Sequence, residues 1–241
     1  MYAFARRPRW VLVHAVVLLV VALFLIAGLW QLSRLQERRE HNAFVERRRA
    51  QPVEPIGSLL ATPDEAEQRR VRVTGRYDTG REVVLIGRSN NEKPGNHVLT
   101  PLIVEDGHAV IVDRGWVPGE IDKPRAGRAA PPDGEVEVTG IALPSEGRGP
   151  LGSQTIGASL PTALSRIDVG RIARALPNTT WPLYVVLQNQ EPAQLTELPE
   201  PVKLAALEEG PHLAYAIQWF LFIPIAVIGY GALLRRESRK P

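Results

Sequence analysis

The chain has 241 residues, with 29 lysines and arginines against 26 aspartates and glutamates, and a pI near 9.4. The excess positive charge lies in two short terminal tails, because the long stretch between the two apolar segments is slightly acidic. This distribution argues against a nucleic-acid-binding surface and is typical of the flanks of membrane spans. The absence of cysteine excludes disulfides, thiolate catalysis, iron–sulfur clusters and cysteine-ligated copper or zinc sites.

The first apolar segment, residues 10–30, has arginines before it and a tryptophan at each boundary. It is longer than the apolar core of a cleaved signal peptide, and no A-x-A cleavage site precedes its end, so we expect a retained transmembrane helix. Residues 1–9 are then a cytoplasmic tail. Residues 31–51 contain neither glycine nor proline, and we expect them to continue the helix as a charged stalk.

Residues 52–209 are predicted to form one extracytoplasmic domain rich in β-structure, because the apolar residues now alternate with polar ones. The predicted strands cover residues 69–78, 82–88, 97–104, 108–117, 135–143 and 181–188. Glu105-Asp106-Gly107 is the strongest hairpin signal. We expect an exposed loop around 88–96, mobile loops at 119–133 and 144–161, and a short helix capped by Asp168.

The second apolar segment, residues 210–234, contains no formal charge and is followed by a basic tail, residues 235–241. Its length suffices to cross a hydrocarbon core of about 30 Å. Cationic tails at both ends place both termini in the cytoplasm. The predicted fold class is therefore a membrane protein with two transmembrane α-helices, a helical hairpin, flanking a mostly antiparallel β domain outside, either a small barrel or a sandwich with minor helices.

The outer end of this helical hairpin carries the strongest candidate site. His212 lies at the boundary of the second span, and Tyr215 and Trp219 share its helical face. Because the spans are antiparallel, Trp30, Gln31 and Arg34 at the facing end of the first span are expected nearby. His212 could ligate a haem iron, with Arg34 binding a propionate. The same side chains also suit a simple interfacial anchor, and the residues alone leave both interpretations open.

The other histidines and the polar residues of the domain give weaker signals. We interpret His97 and His108 as structural or surface groups, since no second ligand at metal spacing accompanies them, and no metal site is predicted. Asp113 and Arg114 are expected to form an ion pair, and Trp116 either closes the β core or belongs to a docking patch for a partner. No nucleophile or carboxylate-pair motif is present, so the sequence does not support an enzyme.

Six segments in this order resemble the Surfeit locus protein family of cytochrome c oxidase assembly factors, in its bacterial branch. The resemblance extends from about residue 28 to residue 230. The segments are LWQLSRL (29–35), RRVRVTGRYD (69–78), GRSNNEKPGNHVLTPL (87–102), VDRGWVP (112–118), VEVTG (136–140) and HLAYAIQWF (212–220).

The resemblance implies a protein of the bacterial inner membrane whose domain faces outward and which assists insertion of haem a into the largest subunit of the oxidase. Its implied partners are that subunit and other assembly factors. Some bacterial members of the family bind haem a through a histidine at the start of the second span, which by position is His212. Tyr215, Trp219, Trp30 and Arg34 are pocket neighbours by geometry alone. The competing hypothesis is a scaffold without cofactor, which would stabilise an assembly intermediate through its domain. The oligomeric state is not predicted.

Overall fold

The structure is a computed structural model that describes residues 6–59, 62–119, 128–146, 161–204 and 206–239, without the side chain of Pro63. The chain divides into two compact units. One unit contains Met1–Phe44 and Ala206–Pro241, and the other contains Val45–Ala205. The first is a pair of long helices, and the second is built around one sheet.

The helix pair consists of α1 (Pro8–Arg49) and α4 (His212–Ser238). Both helices are long and apolar enough to cross a membrane. The less exposed positions of α1 recur at alternate steps of four and three residues, which is the spacing of a helix seam packed against a partner. These positions are Trp10, His14, Val17, Val21, Phe24, Gly28, Gln31 and Leu35.

The two helices are in close contact at Gly28. A methyl group at this position would lie 2.6 Å from the ring of Phe220, so a larger residue there would require this ring to move. Phe24 of α1 packs against Trp219 and Phe222 of α4, with ring centroids 5.8 and 5.4 Å apart. Aromatic packing beside a glycine thus holds the pair together in the half of each apolar segment nearer His212.

The second unit is a mostly antiparallel sheet, as the sequence predicts. Its strands follow the order β1-β2-β6-β8-β5-β4-β3-β7, and only the pairs β1–β2, β3–β7 and β5–β8 are parallel. The strands are β1 (Glu54–Pro55), β2 (Arg70–Tyr77), β3 (Val83–Asn90), β4 (Lys93–Ile103), β5 (Ala109–Pro118), β6 (Glu135–Pro144), β7 (Ala163–Leu164) and β8 (Thr180–Glu191).

The end of β2 also pairs with β4, through Arg76 with Ile103 and Tyr77 with Leu102. Strands β2, β6, β8, β5 and β4 therefore form a closed circuit of pairings. All five strands contribute to one apolar cluster, which includes Val73, Leu102, Val112, Val138 and Val185. Alternation along each strand directs these side chains to the inside of the circuit.

A second apolar cluster covers the outer face of part of the sheet. It combines Leu85, Ile111 and Val186 of the strands with Ile167 and Ile172. Ile172 lies in α3 (Val169–Ala173), which begins where predicted, with the Asp168 carboxylate accepting a hydrogen bond from the Arg171 amide at 2.8 Å. Strands β5 and β8 are buried on both faces, which explains their long apolar runs.

The segment 88–96 is not the exposed loop that the sequence suggested. It forms the end of a β-hairpin in which β3 and β4 pair from Asn90 and Lys93 onward. Asn91 and Glu92 make the turn with φ values of +48° and +64°. The dipeptides Asn90-Asn91 and Pro94-Gly95 are typical of loops. The turn takes only two residues, however, so β3 and β4 remain paired up to it.

The hairpin predicted at Glu105–Gly107 is confirmed and joins β4 to β5. Gly107 adopts a φ of +81°, which explains the glycine at the end of that turn. The short helix α2 (Pro63–Ala66) and the two-residue strands β1 and β7 were not predicted. The centres of both predicted mobile loops, residues 120–127 and 147–160, lie outside the described residues.

Candidate functional site at the His212 end of the helix pair

His212 is the first residue of α4 and is half-buried against α1. Its Nδ1 lies 2.9 Å from the amide oxygen of Gln31. An amide oxygen only accepts hydrogen bonds, so Nδ1 is the donor in this contact, and in the neutral ring Nε2 then carries the lone pair. The contact therefore orients the ring and favours the tautomer in which Nε2 can bind an electrophile.

The backbone before His212 is held by an ion pair within the same unit. Arg39 Nε and Nη2 donate to Glu209 Oε1 and Oε2 at 2.8 and 2.9 Å. These hydrogen bonds hold the pKa of Glu209 below its usual value, although both groups are exposed. Gly210 follows with a φ of +72°, which turns the chain into the helix. The two-point contact thus anchors the entry to α4 on the stalk.

The remaining predicted site residues lie at different depths in the helix pair. Trp219 packs on Phe24, whereas the ring of Tyr215 is 48% exposed and that of Trp30 is 52% exposed. The Arg34 guanidinium lies 5.6 Å from the centre of the Trp30 ring and donates to Glu37 at 2.7 Å. Tyr215, Trp30 and Arg34 are therefore surface groups near the His212 end of the pair, while Trp219 belongs to the helix seam.

This arrangement fits one axial ligand for a haem. The imidazole presents an unprotonated Nε2, and the exposed aromatic rings and guanidinium offer apolar and cationic surface to a macrocycle with propionates. Within the described part of the chain, no three His, Asp or Glu residues group as a metal-binding cluster. Bound haem would supply the iron as the electrophile.

A second polar contact joins the helices at their other end. His14 of α1 and Tyr230 of α4 are hydrogen-bonded through Nδ1 and the phenol oxygen. Arg9 and Glu237 form an ion pair one to two turns further out, with 3.5 Å between Nη2 and Oε1. His14 therefore acts in helix packing, and the polar contacts at both ends fix the register of the pair.

The sheet unit contains its own buried polar cluster, and the predicted Asp113–Arg114 ion pair is wrong. Arg114 instead donates to Glu82 Oε1 at 2.9 Å, and Thr100 donates to the same oxygen. Asp113 contacts Nδ1 of His97 at 2.8 Å. Adjacent strand residues point to opposite faces, so neighbours in sequence cannot pair across the sheet.

Arg114 and Trp116 are only 1% and 4% exposed. Burial lowers the pKa of Arg114, and Glu82 opposes that effect. The backbone of Trp116 pairs with that of Glu200, with N–O distances of 2.7 and 2.8 Å. These side chains close the core, so the Arg114–Trp116 segment does not provide the exposed docking patch that the scaffold hypothesis used.

The SURF1 family model matches residues 18–223, which covers the whole sheet unit, most of α1 and the first part of α4. The chain belongs to the SURF1 family. An uncharacterised SURF1-like protein of Mycobacterium tuberculosis is 28% identical over 98% of this chain and 88% of its own length. The SURF1-like protein of Rickettsia felis is 27% identical over 89% of this chain and 94% of its own length.

Similarity reaches beyond bacteria. Surfeit locus protein 1 of the fish Takifugu rubripes is 29% identical over 151 residues, 56% of this chain and 62% of its own length. The family resemblance seen in the sequence is thus confirmed.

Sequence reasoning placed Gln31 at the end of the first span that faces His212, and the structure brings the two side chains together. It missed Arg39 and Glu209, which are polar residues in a polar stalk and linker, and no spacing rule connects them across 170 positions of chain. Glu82 was missed as the partner of Arg114 because it lies next to a strand boundary among other charges.

Proposed function

We propose that this SURF1 family member is a two-span protein of the bacterial inner membrane that assists assembly of the haem–copper cytochrome c oxidase. Family membership supports the oxidase role. The membrane placement is supported by apolar side chains that remain exposed along both helices, among them Leu18, Ile26, Ile225 and Ile228. Arginines flank the end of the pair opposite His212, which favours cytoplasmic termini and an extracytoplasmic sheet domain.

Within this role, His212 is the axial ligand that holds haem a before its transfer to the largest oxidase subunit. The hydrogen bond from His212 Nδ1 to Gln31 carries the proposal, because it presents the lone pair of Nε2 in a fixed direction. His212 stands at the outer boundary of its helix, where an amphipathic macrocycle can keep its ring in the apolar zone and its propionates near Arg34.

The residues of this protein bind haem a and then release it to the oxidase. A single half-buried imidazole gives a weaker site than a buried pair of ligands, which favours transfer to the ligands of the oxidase. Trp219 and Phe24 keep the helices packed beneath the site, and Arg39 with Glu209 holds the turn before it. The partners proposed are the largest oxidase subunit, other assembly factors and the lipid bilayer.

A chromosomal replacement of His212 by Ala tests this function in cells. The ratio of haem a to copper in the purified oxidase should fall, while the level of the variant protein in the membrane stays the same. A matched control replaces His41, an exposed histidine of the stalk, by Ala. An unchanged oxidase haem content in the His212 variant would contradict the proposal and favour a scaffold that acts without cofactor.

A further inference from the structure

One face of α4, near its basic end, has no partner helix in the described part of the chain. Gly231 and Ala232 lie three and four residues after Ile228, and Arg235 and Arg239 continue this spacing, so all five share the face. Tyr230 and Glu237, which contact α1, lie on the opposite side of the helix. Ile228 is 71% exposed.

The face contains an open depression of about 600 Å³ with an apolar part and a cationic part. Gly231 forms part of its floor, and a methyl group there would have no heavy atom within 4 Å. Arg236 joins Arg235 and Arg239 along the rim. Among the described residues no carboxylate pairs with these three guanidinium groups, because Glu237 faces α1 and pairs with Arg9.

The position of the depression along α4 matches the headgroup region. Arg235 lies 23 residues after His212, which is about 34 Å along a helix. This distance exceeds the hydrocarbon thickness of about 30 Å by only a few ångströms. When His212 lies at the outer boundary, the three arginines therefore lie at the inner headgroup layer and Ile228 lies among the acyl chains.

We propose that this depression is a binding site for one anionic phospholipid of the inner leaflet. The phosphodiester accepts hydrogen bonds from Arg235, Arg236 and Arg239, and one acyl chain lies over Gly231 beside Ile228. Charge complementarity and the apolar-to-cationic order along the helix favour a lipid over a soluble anion. The proposal rests on the membrane placement of the proposed function, but it is independent of haem binding.

The test uses native mass spectrometry of the full-length protein in detergent with added dioleoyl phosphatidylglycerol or dioleoyl phosphatidylcholine. The wild-type protein should retain one phosphatidylglycerol in preference to phosphatidylcholine. The double variant Arg235→Gln with Arg236→Gln should weaken this binding by about tenfold or more, because two cationic contacts with the lipid phosphate are lost. Arg6→Gln with Arg7→Gln removes the same charge from the other tail and should leave the binding within about twofold.

A second variant separates the apolar part of the site from general attraction to charge. Gly231→Leu places a side chain in the depression, where its Cβ would meet no atom within 4 Å, and should lower retention of the lipid while all arginines remain. Gly229→Leu is the matched control, since Gly229 also has open space but does not line the depression. Equal loss in the two arginine pairs, or no loss in Gly231→Leu, would overturn the proposal.

Three further outcomes identify the source of a failure. Displacement of the lipid by inorganic phosphate would show an anion site in place of a lipid site. A wild-type protein that does not float with phosphatidylglycerol vesicles would contradict the membrane placement, and both proposals would fail. Flotation with unselective lipid retention would overturn the lipid site alone. Binding of haem by the Arg235/Arg236 variant should equal that of wild type.

Discussion

The side chains of His212 and Gln31 meet across the two long helices, with 2.9 Å between Nδ1 and the amide oxygen, although 181 positions separate them in the chain. The contact orients an imidazole whose second nitrogen remains able to bind a metal. A ring that served only as an interfacial anchor would not need a fixed tautomer. The proposed role of His212 as a haem ligand depends on this contact with Gln31.

Replacing Gln31 by Leu should weaken haem a binding by about tenfold without abolishing it. The ligand remains, but its ring loses the acceptor that selects the tautomer and direction. Gln36→Leu is the matched control, because Gln36 is exposed and bonds only to Glu40. Titration of the purified protein with haem a, followed by absorbance, gives both affinities. Equal affinities would show that the Gln31 contact is irrelevant to the site.

Removal of one member of the buried Arg114–Glu82 pair should destabilise the sheet unit strongly. Arg114→Met leaves the Glu82 carboxylate in an apolar interior, at a cost of about 3–5 kcal/mol. The double variant Arg114→Met with Glu82→Leu should lose clearly less than the sum of the two single variants. Urea unfolding in detergent, followed by tryptophan fluorescence, measures these free energies. Simple additivity would contradict the direct pairing.

Glycine is required at position 140 by the close approach of β8. A methyl group there would lie 2.3 Å from the carbonyl oxygen of Val186 and 2.6 Å from Val185 Cγ1. We expect Gly140→Ala to lower the free energy of unfolding by about 1–3 kcal/mol. Gly57→Ala is the control, because a methyl group at Gly57 meets no atom within 4 Å and should change stability by about 0.5 kcal/mol or less. Similar effects in both variants would argue against this register of β6 and β8.

Alkaline pH should destabilise the sheet unit through two buried tyrosines. Burial raises the pKa of both Tyr77 and Tyr184, and for Tyr77 the nearby Arg114 guanidinium partly opposes the rise. A raised pKa in the folded chain means that the stabilisation is complete below the unfolded value of about 10 and is lost as the pH rises above it. Tyr77→Phe should therefore reduce the loss of stability above about pH 10. Urea midpoints measured across this range provide the check.

The sequence predicted the extended parts of the fold because those parts depend on local patterns. Six of the strands lie within a few residues of the predicted segments, and Asp168 caps α3 as expected. The pairing of β2 with β4 could not be predicted from the sequence, because only tertiary packing brings Tyr77 and Leu102 together. The hairpin at Asn91–Glu92 was missed because its turn residues also suit a loop.

In the candidate site too, the sequence predicted what depends on local patterns and missed the contacts that depend on tertiary packing. His212 was found from its position at the end of an apolar segment, and Trp30, Gln31 and Arg34 were placed near it by antiparallel geometry. The contacts of Gln31 with His212 and of Arg39 with Glu209 depend on the rotation of each helix about its axis. That rotation is set by the seam around Gly28 and Phe220, which no local pattern reveals.

The most direct test of the central claim is the optical spectrum of the full-length protein, purified in detergent from cells that also produce the enzymes of haem a synthesis. The wild-type protein should show a haem a Soret band, and His212→Ala should lose it while remaining folded. Retention of the band in His212→Ala would show that another residue is the ligand. Absence of haem from the wild-type protein would contradict the carrier role.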